Sequence, residues 1–110
     1  MASPKILDLL NALRVGTSNR QVFWEDLPDE DMFRTQIAGG LIRIGKTEDK
    51  KGYTIWLMGH GGAVAAEATF FQRDTGYDII EDVYASARLV ARGGDALLDN
   101  IIRQLNPTGR

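Results

Sequence analysis

The chain of 110 residues has no cysteine and a single histidine, His60. The first absence excludes disulfides, thiolate zinc sites, thiol nucleophiles and iron–sulfur clusters, and the second excludes metal centres built from several imidazoles. Long apolar runs are missing as well. Nothing approaches the ~20 residues needed to span a bilayer, and the stretch from Ile6 to Leu13 is broken by Asp8 and Asn11, so it does not read as a secretory leader. A cytoplasmic location follows as the expectation. An excess of either charge is also lacking. Thirteen Lys+Arg stand against fifteen Asp+Glu, a net charge of -2. That balance gives no bulk attraction for phosphate backbones or anionic lipid, so neither nucleic acid nor a membrane is expected as a partner.

What is present is the composition of an ordinary globular domain, 44% hydrophobic and 25% charged. One domain over residues 1–110 is the expectation, since a chain of this size can bury an adequate core without staples. Ser3 before Pro4 reads as a cap with proline at the first helical position, and Ile6, Leu7, Leu9, Leu10 and Leu13 recur at helical spacing up to a stop at Gly16. The period then shortens to two. Val22-Phe23-Trp24 reads as a strand ended by the acidic turn Leu27 to Asp31. Phe33, Thr35 and Ile37 alternate with Arg34 and Gln36, and the Gly39-Gly40 pair leads into Leu41-Ile42-Arg43-Ile44, a hairpin signal. Tyr53 to Met58 is the strongest strand, turned by Gly59-His60-Gly61-Gly62 into a last strand, Ala63 to Phe71.

The helical period returns at Asp78, which with Glu81 fits a capping box. Ile79, Ile80, Val83, Tyr84, Ala87, Val90 and Ala91 form its stripe, up to Gly93-Gly94. Asp95 reads as the cap of a final helix with Leu97, Leu98, Ile101, Ile102 and Leu105 on one face, closed by Pro107. The expected fold is α+β: an antiparallel β-meander of four or five strands with one N-terminal and two C-terminal helices, the helices covering the sheet. Leu10, Ile37, Ile44, Ile55, Leu57, Val83 and Ile101 are the expected shared core.

The order of Trp24, Phe33, Ile42-x-Ile44, Tyr53-x-Ile55-x-Leu57, a glycine turn, Val83-Tyr84-x-x-Ala87-Arg88 and an amphipathic terminal helix resembles a loose group of small bacterial α+β proteins of no assigned activity. The resemblance covers nearly the whole chain but rests on core and turn positions. It implies a bacterial source and this element order, and carries over no catalytic residue. In that group the turn before the last strand is typically acidic, whereas here it is Gly59 to Gly62.

Candidate chemistry is sparse. The glycine runs fit neither a P-loop nor a dinucleotide loop, and they lie between strands rather than before a helix. Gly59, His60, Gly61 and Gly62 remain the alternative reading, a turn whose amides and imidazole bind a small molecule or anion. Glu67 on the next strand is the nearest carboxylate in sequence. The acidic group Glu25, Asp26, Asp29, Glu30 and Asp31 lacks EF-hand spacing and reads as a solvated turn. Ser3, Ser18 and Ser86 sit in no nucleophile elbow. No catalytic residues, metal or cofactor are expected, and the chain reads as non-enzymatic.

The informative anomaly is Tyr53 to Met58, apolar on both faces where a sheet covered on one side should alternate. With Tyr53, Ile55 and Leu57 toward the helices, Trp56 and Met58 face the other way beside Arg34 and Arg43. Trp, Met and Arg are the types enriched in interface centres. These four residues are the expected partner-binding site, for a second copy in a homodimer or for another protein. The competing reading is that the N-terminal helix crosses this second face and buries Trp56.

Overall fold

The computed structural model describes residues 3–27 and 31–106, apart from the side chain of His60. The elements are α1 (Pro4–Ser18), β1 (Glu25–Leu27), β2 (Met32–Ile37), β3 (Gly40–Lys46), β4 (Gly52–Met58), β5 (Val64–Phe71), α2 (Tyr77–Ala91) and α3 (Gly94–Leu105), with a short 3-10 turn at His60–Gly62. The five strands form one antiparallel sheet in sequence order, each paired with its chain neighbours. The expected meander with one helix before it and two after is therefore the observed α+β fold.

The termini of α1 follow its chemistry. Ser3 Oγ accepts a hydrogen bond from the Ile6 amide at 3.3 Å, and Pro4 occupies the first turn. Gly16 does not stop the helix, which runs on to Ser18. A Cβ there would stand 2.7 Å from a Val22 methyl, so this glycine lets the returning loop pack against the helix. Val22-Phe23-Trp24 is loop rather than strand. Trp24 is buried and its indole N–H donates to Thr17 Oγ1 at 2.9 Å, which pins the loop to α1. The first strand begins one residue later, at Glu25.

The β2–β3 turn is shifted by one position from the expected glycine pair. Ile37 pairs with Gly40, leaving Ala38 and Gly39 at the tip with φ of 52° and 80°. Gly76, not Asp78, precedes α2, at φ 98°, and Asp78 lies within the first turn. A Cβ on Gly76 would meet Leu7 at 2.6 Å and the Phe70 ring at 2.8 Å, so a side chain cannot replace glycine where the chain passes beneath α1. Gly93, at φ 74°, likewise replaces Asp95 as the cap of α3.

Helices α1 and α2 lie together on one face of the sheet. Leu10 and Leu13 of α1 join Ile80, Val83, Tyr84 and Ala87 of α2 over Phe33, Ile42, Ile44, Ile55 and Phe70. Helix α2 touches β1, β2, β4 and β5, so it crosses the strands. This arrangement corrects the expectation that both C-terminal helices cover the sheet. Strands of seven residues run ~23 Å, and two helices packed ~8–10 Å apart leave no room for a third. Ile101 on α3 is exposed for that reason, and Ile37 is exposed because it ends β2 at the hairpin tip. Leu57 is half-buried, and Leu10, Ile44, Ile55 and Val83 are buried together.

Candidate functional site

Two surfaces are left over by this packing. The first is the sheet face turned away from the helices. The strand registers align Glu25, Arg34, Arg43, Trp56 and Glu67 in one row across all five strands. Arg34, Arg43 and Trp56 therefore do share the surface expected of them, and Met58 lies in the next row beside Leu41 and Val64. No described helix packs on this face, which disposes of the reading that α1 buries Trp56. Its side chains largely cover one another: Met58 is only 7% exposed and Trp56 is half-buried. Arg34 Nε donates to Glu25 Oε2 at 3.1 Å. Arg43 makes no ion pair among the described residues, and its Nε is buried without a hydrogen-bond partner.

The second surface is α3. At 100° per residue, Leu97, Leu98, Ile101, Ile102 and Leu105 fill an arc of about 140°. All five are exposed, from 45% for Ile101 to 81% for Leu105, and α3 buries no residue. The helix meets the rest of the molecule through the roughly opposite flank. Arg20, after α1, pairs with Asp95 at 3.6 Å and with Asp99. Their carboxylates hold the guanidinium in its charged form, raising its pKa. Asp95, Ala96 and Asp99 line a cleft with Thr17, Val22 and Phe23, and Phe23 is itself 69% exposed. An amphipathic helix normally buries its apolar arc and wets its polar one. Here the polar arc is docked and the apolar arc points outward.

No family model matches the chain, and no curated protein and no solved structure is significantly similar to it. What the two surfaces can do is therefore argued from their chemistry.

The other sequence candidates are placed as follows. Gly59 and Gly62 border a cleft of about 480 Å³ with the β2–β3 turn, lined by Gln36 to Leu41 with no charged side chain. Added Cβ atoms at Gly59, Gly61 and Gly62 would meet open space. The His60 side chain lies outside the described residues, and Glu67 sits beside Trp56 on the open face. Of the acidic group, Asp29 and Glu30 fall outside the described residues. Glu25 pairs with Arg34, while Asp26 and Asp31 hold Arg92 at 3.0 and 3.6 Å. These carboxylates are engaged by arginine, and among the described residues no cluster suited to a metal ion occurs. No described helix is long and apolar enough to cross a membrane.

The sequence reading missed α3 as a surface. Its signal was present in the regular apolar stripe, but the stripe states only that something is covered. That two helices leave no width for a third on this sheet could have been read from the strand lengths.

Proposed function

We propose that the protein is a non-enzymatic interaction module that self-associates, with α3 as its principal docking surface. The observation that carries this reading is the helix whose five large apolar side chains all face solvent while its acidic flank is bound to the body. Such a patch, on the order of several hundred Å², marks a contact site in most folded proteins. A second copy is the occupant we favour. Leu97 and Leu105 lie equally far from Ile101, so an antiparallel pair would set Leu97 against Leu105 of the other copy and Ile101 against itself, the geometry of a two-fold interface. An anionic bilayer fits less well, because the polar arc carries Asp95 and Asp99 against one cation, Arg103. We extend the proposal to a bacterial, cytoplasmic setting, the first from the resemblance to small bacterial α+β proteins and the second from the absence of cysteine.

A second reading, association through the open sheet face, is favoured by Arg43. Its buried, unpartnered Nε is a costly arrangement that an acceptor on a partner would relieve.

Sedimentation velocity separates the two. Wild-type protein should sediment as a dimer over micromolar concentrations, and Ile101→Asp should sediment as a monomer whose thermal midpoint does not depend on concentration and matches that of wild type diluted to monomer. If Trp56→Ala dissociates the dimer and Ile101→Asp does not, the sheet face is the interface. A wild-type monomer at every concentration would refute self-association by either surface.

A further inference from the structure

Where α2 crosses the sheet it leaves a gap at the end that carries the β3–β4 connection. Lys46 and Tyr53, paired in register, stand there beside Ala85, Arg88 and Leu89 of α2. The space between them is a cleft of about 450 Å³, within the ~300–1,000 Å³ typical of small-molecule sites. Its floor is aromatic. The Tyr53 and Tyr84 ring centroids are 5.1 Å apart at an angle of 49°, and Ala85 and Leu89 continue the apolar wall.

The rim carries unbalanced charge. Lys46 Nζ sits 5.6 Å from the Tyr84 ring centroid, and neither Lys46 nor Arg88 forms an ion pair with a carboxylate among the described residues. Two more charged groups, Arg92 and Glu81, line the same cleft. Arg92, one helical turn beyond Arg88, is held by Asp26 and Asp31, and Glu81 accepts a hydrogen bond from the Tyr77 hydroxyl at 3.3 Å. Lys46 and Arg88 thus share the aromatic cleft with the carboxylate of Glu81, which pairs with neither, and among the described residues the lining keeps an excess of positive charge.

We propose that this cleft binds an aromatic carboxylate, its ring against Tyr53 and Tyr84 and its carboxylate between Lys46 and Arg88. The guanidinium offers a fork of donors matched to a carboxylate, and Lys46 supplies a mobile point charge beside it. Offset or edge contacts with the two phenol rings orient the apolar body. A bare inorganic anion would leave the aromatic floor unused, and an uncharged arene would leave both cations unpaired. The site touches α3 only at Gly94 and lies apart from its apolar stripe and from the open sheet face.

The test uses 2-naphthoate as the probe and 2-naphthamide as its uncharged counterpart, with binding followed by titration calorimetry and amide chemical shifts. Naphthoate should bind saturably and at least tenfold more tightly than the amide. Lys46→Gln and Arg88→Gln should each weaken it about tenfold, with thermal midpoints unchanged. Ala85→Trp, which fills the cleft, should abolish binding while both cations remain. Equal binding of acid and amide, binding unaffected by the three variants, or no saturable binding of naphthoate would each overturn the proposal.

Discussion

Ala38 occupies the left-handed region at the tip of the β2–β3 hairpin, where a Cβ is strained and glycine or asparagine is favoured. Ala38→Gly or Ala38→Asn should therefore stabilise the protein by about 0.5–1 kcal/mol in urea unfolding. Gly76 predicts the opposite. With φ at 98° and Leu7 and Phe70 against the missing Cβ, Gly76→Ala should cost about 2–3 kcal/mol. Tyr84 carries a pH dependence. Burial, reinforced by Asp31, pushes its phenol up to about 12, above an ordinary value of 10.0. The folded state holds this proton where the unfolded state has lost it. The stability from Tyr84 is then complete below pH 10 and declines as pH rises from about 10 to 12. Tyr53 and Tyr77 are also shifted upward by burial, so the phenolate absorbance should rise late with Tyr84 ionising last, and Tyr84→Phe should remove that last step and flatten alkaline unfolding across the window. The same variant loses the hydrogen bond to the Asp31 carbonyl, 3.2 Å long, at a cost of about 1 kcal/mol.

At the scale of elements, periodicity was legible and destination was not. Phe33 and Thr35, alternating with Arg34, specified both a strand and its buried face, since period two leaves two choices and the charged residue makes one of them. The stripe on α3 specified a helix equally well, yet Ile101 does not reach the core that its pattern implies. Which surface a stripe meets depends on what the other elements have already filled, and no local pattern records that. The open-face row was legible in part: Arg34, Arg43 and Trp56 share it because each strand pairs in register with its neighbour, while the register shift between Leu57 and Met58, which sets Met58 against Val64, is not revealed by alternation. Caps were misread for one reason. Asp78 and Asp95 are good capping residues, but the tight entries at Gly76 and Gly93 require positive φ, and backbone geometry prevailed over side-chain chemistry. Helix α3 is joined to α2 through Gly93 and to the segment after α1 by exposed ion pairs from Arg20, so its attachment should be weak. Arg20→Ala should speed amide exchange throughout α3 with little change in thermal midpoint.

The whole molecule is a sheet whose every strand pair is local in sequence, closed by a helix contact that is not. Hairpins joined by short turns form early and at low entropic cost, whereas Leu7 meets Gly76, and Arg14 meets Asp82 at 3.9 Å, only after a long loop has closed. Order in time is therefore expected to differ from order along the chain, with the first helix the last to dock. Stopped-flow measurements should register that difference. Ile55→Ala, inside the meander, is expected to lower stability by about 2–5 kcal/mol and to slow refolding, because its contacts already exist in the transition state. Leu10→Ala, at the α1–α2 seam, should leave the refolding rate nearly unchanged and accelerate unfolding instead. The seam, more than the sheet, would then set how long a folded molecule lasts before it opens.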